Sequence, residues 1–277
     1  AEVVASFGDP RIHWHNLAEK CGEQSGPNNA GIRAARAPVV ALLNHDDLWF
    51  PDHLETALGA LERSGAELVM TLQARRPDDG PPYAEGVFAN RRFVPGAAPV
   101  EASGLVFRRE LFDRIGPWRR YTEVYDTPIR DWLQRVWAAN AHVEIVPHLT
   151  VIAINSTRGS YVDRPDAAHR ELLAEMGRDV ERLRSGELAE LLFGQQQRLT
   201  EARLADVGTL SIRELLQALG VTLFHRVARA LGRNPQSLRR RLRGNGKGDE
   251  IRALRVRRGL DAEPGGTAEA AAESGAS

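Results

Sequence analysis

The sequence predicts an α/β layer fold followed by an all-helical extension, and three observations predict it. An apolar run, Val39 to Leu43, ends abruptly in the polar stretch Asn44-His45-Asp46-Asp47; strand-like and helix-like segments alternate as far as Val146; and from Asp166 onward only helical periodicity remains. An apolar run of that length reads as a strand buried on both faces, as in a parallel sheet with helices on each side. Before it, Asn29 to Arg36 reads as a short helix with Asn28 or Asn29 as its cap. After it, Pro51 to Ser64 places Leu54, Leu58 and Leu61 at helical spacing, and Gly65 ends the helix. Glu67 to Leu72 reads as the next strand. Residues 75–100, rich in Pro, Gly and charge, form a long excursion of the kind that often carries function. Leu105 to Phe107 is a strand, Arg109 to Ile115 a helix closed by Gly116 and Pro117, Pro128 to Asn140 a helix and His142 to Val146 a strand. Helices are then predicted over 167–183, 187–204 and 212–231, with a disordered Ala, Gly, Ser and Glu tail.

Composition excludes several classes. The 277 residues hold 37 Lys plus Arg against 37 Asp plus Glu, 42% hydrophobic residues and a single cysteine, Cys21. One cysteine builds no disulfide scaffold, so a reducing, cytoplasmic setting is expected. No apolar run approaches the ~20 residues of a membrane helix. Ala1 to Asp9 has neither the basic start nor the apolar centre of a signal peptide, and with no initiator Met the chain is expected to begin inside a longer protein. The zero net charge is an average: Arg226 to Arg258 holds 12 Lys or Arg against Asp249 and Glu250, a local +10.

The chemistry concentrates where the apolar strand ends. Open α/β sheets place ligands at the carboxyl ends of their strands. Acids there, Asp46 and Asp47, are suited to a hard divalent cation, Mg²⁺ or Mn²⁺, which completes its shell with substrate phosphates. An Asp pair in that position also serves as a helix cap or turn, and the residues alone leave both readings open.

The stretch from Asn29 through Val39-Val40-Ala41-Leu42-Leu43-Asn44-His45-Asp46-Asp47-Leu48-Trp49 to Pro51-Asp52-His53-Leu54 resembles the donor domain of family 2 glycosyltransferases with the GT-A fold. The resemblance implies a Rossmann-like mixed sheet with flanking helices, a nucleotide-sugar donor and inverting, metal-dependent transfer to a saccharide, lipid-linked or other hydroxyl acceptor. By position it makes Asp46 the metal ligand, with Asn44 and Asp47 assisting at the donor. Asn44 stands where the family usually carries Asp, so weaker metal affinity is expected. Downstream, Glu101-Ala102-Ser103-Gly104-Leu105 resembles the unit lining the acceptor side, where Ser103 and Gly104 let backbone approach substrate. Asp131-Trp132-Leu133-Gln134-Arg135 resembles the segment that carries the catalytic base. A carboxylate within hydrogen-bond reach of the acceptor hydroxyl takes its proton; Asp131 is the implied base, Asp126 and Glu123 the reserves, and Trp132 a residue for the core or for an acceptor sugar. Arg130 stands where many relatives carry a second acid. Asn155 to Tyr161 resembles the segment that closes over the donor, with Arg158 placed to meet a phosphate.

The family's opening βαβ unit, about 35 to 45 residues, has no counterpart before Ala1. The chain therefore reads as a glycosyltransferase domain, 1–162, truncated at its N-terminus and poorly active as it stands, a helical Arg-rich extension, 163–260, and a tail, 261–277. The alternative is a degenerate, non-catalytic protein whose extension recruits a membrane or partner. For residues 226–258 three roles compete: a solvated helical face, peripheral attachment to an anionic membrane, and nucleic-acid binding, the weakest because no motif accompanies the arginines.

Overall fold

The computed structural model describes residues 2–18, 21–77, 80–154, 167–206, 220–221, 223–228 and 235–257. Its centre is a six-stranded mixed sheet formed by β1 (Val39–Ala41), β2 (Asp47–Trp49), β3 (Leu68–Arg76), β4 (Tyr83–Glu85), β5 (Leu105–Arg108) and β6 (Val143–Ile154). The order is β1-β5-β3-β6-β2, with β4 also on β3. Only β3 and β6 run parallel, from Leu68 opposite Val143 to Arg76 opposite Ile154. The α/β class and the helical C-terminal part are thus as expected. The parallel setting of Val39 to Leu43 is not: β1 pairs antiparallel with β5 at one end of this order. It is also shorter than predicted, because Leu43 turns out to solvent at 51% exposure.

The β3 strand explains where the site lies. Its first half, Leu68 to Met70, pairs with β5, and its second half, Gln73 to Arg75, pairs with β4 along the same edge. The start of β5 and the end of β4 therefore meet opposite residues 71–73. A tight turn, Ala102–Gly104, fills that junction.

Helices cover both faces. α1 (Glu2–Ala5) is a single turn, and α2 (Ser25–Ala34) supplies Ile32 to a cluster that includes Leu68, Met70, Leu105 and Phe107. The same cluster takes Leu111 and Phe112 from α4 (Arg109–Ile115), and Ile129, Trp132 and Val136 from α5 (Pro128–Ala138). Strand alternation sends Val69 and Val106 to the opposite face, against Ala57, Ala60 and Leu61 of α3 (His53–Ser64). Gly65 ends α3 in the left-handed region, φ 67°, as its sequence predicts. The buried face of α3 differs from the expected one: Leu54 and Leu58 are 43% and 38% exposed, whereas small alanines let the helix lie close to the sheet.

Residues 75–100 are anchored by Phe88 and Phe93, ring centroids 5.4 Å apart, as well as by β4. Beyond the sheet, α6 (Ala167–Arg178) and α7 (Val180–Asp206) pack Leu172, Met176, Leu183 and Leu191 against Phe50, Leu149 and Ile152. The break between them falls at Asp179, whose carboxylate accepts the Arg182 amide at 3.0 Å, and not at Gly186, which sits inside α7. Arg184 fixes α7 to the sheet: it donates to the Leu149 carbonyl at 3.1 Å, pairs with Asp52 at 2.6 Å and lies over the Phe50 ring. Two short helices, α8 (Pro235–Leu242) and α9 (Asp249–Arg257), close the described chain. No helix among the described residues is long and apolar enough to cross a membrane.

Candidate active site

Asn44, Asp47 and Ser103, 56 to 59 residues apart in sequence across the two segments, converge in the structure on one hydrogen-bonded knot. The Ser103 hydroxyl donates to Asp47 Oδ2 and accepts the Asn44 amide N–H at 2.9 Å. The Asn44 side-chain amide donates to the same Asp47 oxygen at 3.0 Å, and Gln24 donates to Asn44 Oδ1 at 3.3 Å. The Trp49 indole N–H, donating to the Ser103 carbonyl at 2.8 Å, ties β2 to the turn. Asp47 is 6% exposed, and burial pushes its carboxyl up while the bonds from Ser103 and Asn44 pull it down. Its bonds to Ser103 and Asn44 hold the turn in shape.

Asp46 projects beside this knot with its side chain 22% exposed and the His45 imidazole 3.8 Å away. His169 of α6 reaches its backbone carbonyl at 3.1 Å, a contact that joins the extension to the turn. Nothing in the spacing of His169 from Asp46 announces that contact, since the fold alone brings α6 back.

Beneath the turn lies a polar floor that the sequence reading overlooked. Thr71, Gln73 and Arg75 occupy alternate positions of β3 and so share a face, and each is under a tenth exposed. Their alternation with Met70, Leu72 and Ala74 was the available signal. Gln73 donates to the Glu101 carbonyl at 3.2 Å and packs so closely on Gly104 that a Cβ there would meet its amide nitrogen at 2.5 Å. Arg75 bonds Glu85 at 2.8 Å and lies 3.6 Å from Glu101. Burial pushes Glu85 up to about 7 against the pull of Arg75, raises Glu101 in the same direction, and is outweighed at Arg75 by the surrounding acids, which raise it. Asp47, Glu85 and Glu101 thus put three carboxylates around one guanidinium next to Asp46.

Asp131, the implied base, sits in the first turns of α5 and is held by two arginines: Arg135 Nε at 3.0 Å and Arg119 at 3.3 Å. Arg135 in turn donates to the carbonyls of Ile115 and Pro117, fixing the preceding loop. The side-chain bonds of Asp131 run to these two arginines, Arg119 and Arg135, and not to the Asn44–Asp47–Ser103 knot. Asp126, five residues earlier, is 4% exposed and accepts from Arg130 at 3.2 Å and Arg240 at 3.5 Å. Trp132 is a core residue, not an acceptor platform: it is fully buried, stacks on Trp118 at 5.9 Å and donates to the Gly116 carbonyl. Arg158 and its segment lie outside the described residues.

The donor set fits a divalent ion held chiefly by its substrate. Among the described residues no group of three or more His, Cys, Asp or Glu could hold a metal. Asp46 supplies one carboxylate, and Mg²⁺-type sites use one or two with phosphates and water completing the shell.

Comparison with known proteins finds a family match over the first part of the chain. Residues 2–116 match the family described as Glycosyl transferase family 2. That segment is similar to family 2 glycosyl transferases over about two fifths of the chain. The match takes in the Asn44–Asp47 turn, Ser103 and Gly104, and ends before Asp131. The succinoglycan biosynthesis protein ExoO of Rhizobium meliloti (strain 1021) is 35% identical over 68 residues, 24% of this chain and 19% of ExoO. Among solved structures, S. aureus TarS 1-349 in complex with UDP-GlcNAc is 12% identical over 56% of this chain and 46% of its own, with a TM-score of 0.46. The mannosyltransferase PcManGT from Pyrobaculum calidifontis, in complex with GDP-Man and Mn²⁺, is 14% identical over 93% of this chain and 73% of its own, with a TM-score of 0.38. The chain thus spans about a fifth of the curated relative and under half of the TarS structure.

Proposed function

We propose that this protein takes part in metal-dependent transfer of a sugar from a nucleotide-sugar donor to a hydroxyl acceptor, with inversion, in the assembly of a cell-surface polysaccharide. The observation that carries the proposal is the junction of Asn44, Asp46, Asp47 and Ser103 inside the segment that matches the family. Asp46 would hold Mn²⁺ or Mg²⁺; Asn44 would meet the donor's ribose or diphosphate, with Asp47 keeping the turn in shape. Bound there, the metal would supply charge stabilisation for the departing diphosphate. The polysaccharide setting is supported by the name of ExoO, a succinoglycan biosynthesis protein, and the donor class by the family match over residues 2–116.

A carboxylate near the start of α5 takes the acceptor proton in this reading. Asp131 is the first candidate by resemblance, and acceptor entry would have to displace the half-exposed Arg119 from it. Asp126 is the second, favoured by its burial beside an open cavity. Release of nucleotide from UDP- and GDP-sugars, measured for the wild type, Asp46→Ala, Asp131→Asn and Asp126→Asn, tests the assignment. Loss in Asp46→Ala and in one of the two Asn variants is expected; turnover unchanged in all three would refute the assignment, and donor binding with no turnover in the wild type would leave the non-catalytic reading. A peripheral membrane role for residues 226–258 is part of the proposal, supported by the exposure of Arg239, Arg241 and Leu242 on α8 and of Arg243 just after it. Salt-sensitive binding to anionic vesicles tests it, and none at low salt removes it.

A further inference from the structure

The Arg-rich extension is not only an outward basic surface. Its last two described helices fold back onto residues 121–130, which lead into α5. The Gly248 amide donates to the Val124 carbonyl at 2.8 Å, Arg240 donates to the Tyr125 carbonyl at 3.2 Å, and Gln236 accepts from Arg130 at 3.1 Å. Arg255 donates to the Cys21 carbonyl and lies over the Tyr121 ring at 5.3 Å. The fit is close: Gly248 has φ 77°, and a Cβ there would meet the Tyr121 carbonyl oxygen at 2.7 Å. Only glycine serves at that point.

Between the two parts lies a cavity of about 280 Å³, lined by Tyr125, Asp126, Arg240, Asn245, Gly246 and Asp249 among others. Its size is at the low end for small-molecule sites, ~300 Å³ and upward, so it holds one small ring system and no extended chain. Its lining carries two carboxylates, Asp126 and Asp249, against the one guanidinium of Arg240; Asp249 accepts the Gly246 amide at 2.7 Å, and the Lys247 ammonium stands 5.9 Å over the Tyr125 ring. Arg240 is also engaged with Asp126 and the Tyr125 carbonyl. With no surplus positive charge the cavity gives an anion little to hold. Carboxylates, the Asn245 amide and a tyrosine ring instead match a neutral polyol, whose hydroxyls need acceptors and whose C–H face needs an apolar plate.

We infer that this cavity is a binding site for a neutral monosaccharide unit, built jointly by the C-terminal helices and the segment 125–126. The substrate class rests on the transferase reading, in which the unit would be part of the acceptor. The site places that sugar against buried Asp126, on the segment that leads to Asp131.

The test is a ¹⁵N-amide titration of the full 277-residue chain, read at Gly246 and Gly248, with methyl β-glucoside, methyl β-galactoside, methyl α-mannoside and, separately, inorganic phosphate. At least one glycoside is expected to shift both amides saturably. Tyr125→Ala should weaken that binding by ~10-fold or more, whereas Tyr125→Phe, which keeps the ring, should stay within about threefold. Silence from all three glycosides at about 50 mM, a response to phosphate alone, or glycoside binding unchanged in Tyr125→Ala would each overturn the inference. The same spectra, titrated with UDP, GDP and Mn²⁺ and read at Asn44 and Ser103, separate the two readings. Silence there with a glycoside response at Gly246 refutes the donor site and leaves the sugar site standing.

Discussion

Ser103→Ala removes the one hydroxyl that holds the candidate metal turn to the start of β5, and its cost can be worked from the geometry. The hydroxyl donates to a carboxylate that is 6% exposed, a charge-assisted bond worth about 1.5–3 kcal/mol, and it accepts the Asn44 amide, worth about 1 kcal/mol. Asn44 is half-buried, so water regains part of the second bond, and a net loss of about 2–3 kcal/mol is expected. Asp47 also loses a bond that lowers its carboxyl, so it shifts further upward. Urea unfolding at pH 7 should show a lower midpoint with an unchanged slope. A double-mutant cycle with Asp47→Asn isolates the pair, and a coupling of about 1.5 kcal/mol is expected. Additivity to within about 0.5 kcal/mol, or a Ser103→Ala protein as stable as the wild type, would refute the claim that Ser103 holds the turn.

Two further perturbations follow from the surroundings of the site. Burial pushes the His53 imidazole down from 6.5 to about 4, against the opposing charge of Asp52. The unfolded chain takes up that proton near pH 6.5 and the folded protein only near 4, so the stability linked to His53 is complete above 6.5 and is lost as the pH falls toward 4. At ~1.4 kcal/mol per pH unit this amounts to about 3 kcal/mol. His53→Gln should lose correspondingly less between pH 7 and 4.5 in urea unfolding, and parallel curves for the two proteins would contradict it. Gly104→Ala should displace the Gln73 side chain and break its bond to the Glu101 carbonyl, costing about 1–3 kcal/mol. An unaltered thermal midpoint would show that the floor beneath the turn yields freely.

The residues that sequence alone placed well are those governed by local rules. Gly65 stops α3, Pro128 opens α5, and Gly116 closes α4 because left-handed or fixed φ values leave little choice. The Asn44–Asp47 turn was visible because polar residues interrupt an apolar strand. What periodicity could not show was pairing partner or depth. Val39 to Leu43 looks central by hydrophobicity, yet its neighbour on β5 is antiparallel, a property of strands 66 residues apart. Leu54 and Leu58 carry the helical spacing of α3, but contact with the sheet is made by Ala57 and Ala60, whose small side chains permit close approach. Trp132 and Asp131 are adjacent in sequence and point into different surroundings: one into the aromatic core with Trp118, the other between Arg119 and Arg135. His169 and Arg240 reach residues 46 and 126 across more than a hundred positions, beyond any local signal.

The account turns on the Asn44–Asp47 turn being a metal–nucleotide site, and Mn²⁺ binding followed by electron paramagnetic resonance tests it most directly. With one partly exposed carboxylate and no cluster of ligands among the described residues, the wild type should take up Mn²⁺ weakly alone and at least ~10-fold more tightly with UDP or GDP present. Asp46→Ala should abolish the nucleotide-dependent part. Uptake that ignores the nucleotide, or that survives unchanged in Asp46→Ala, would contradict the account.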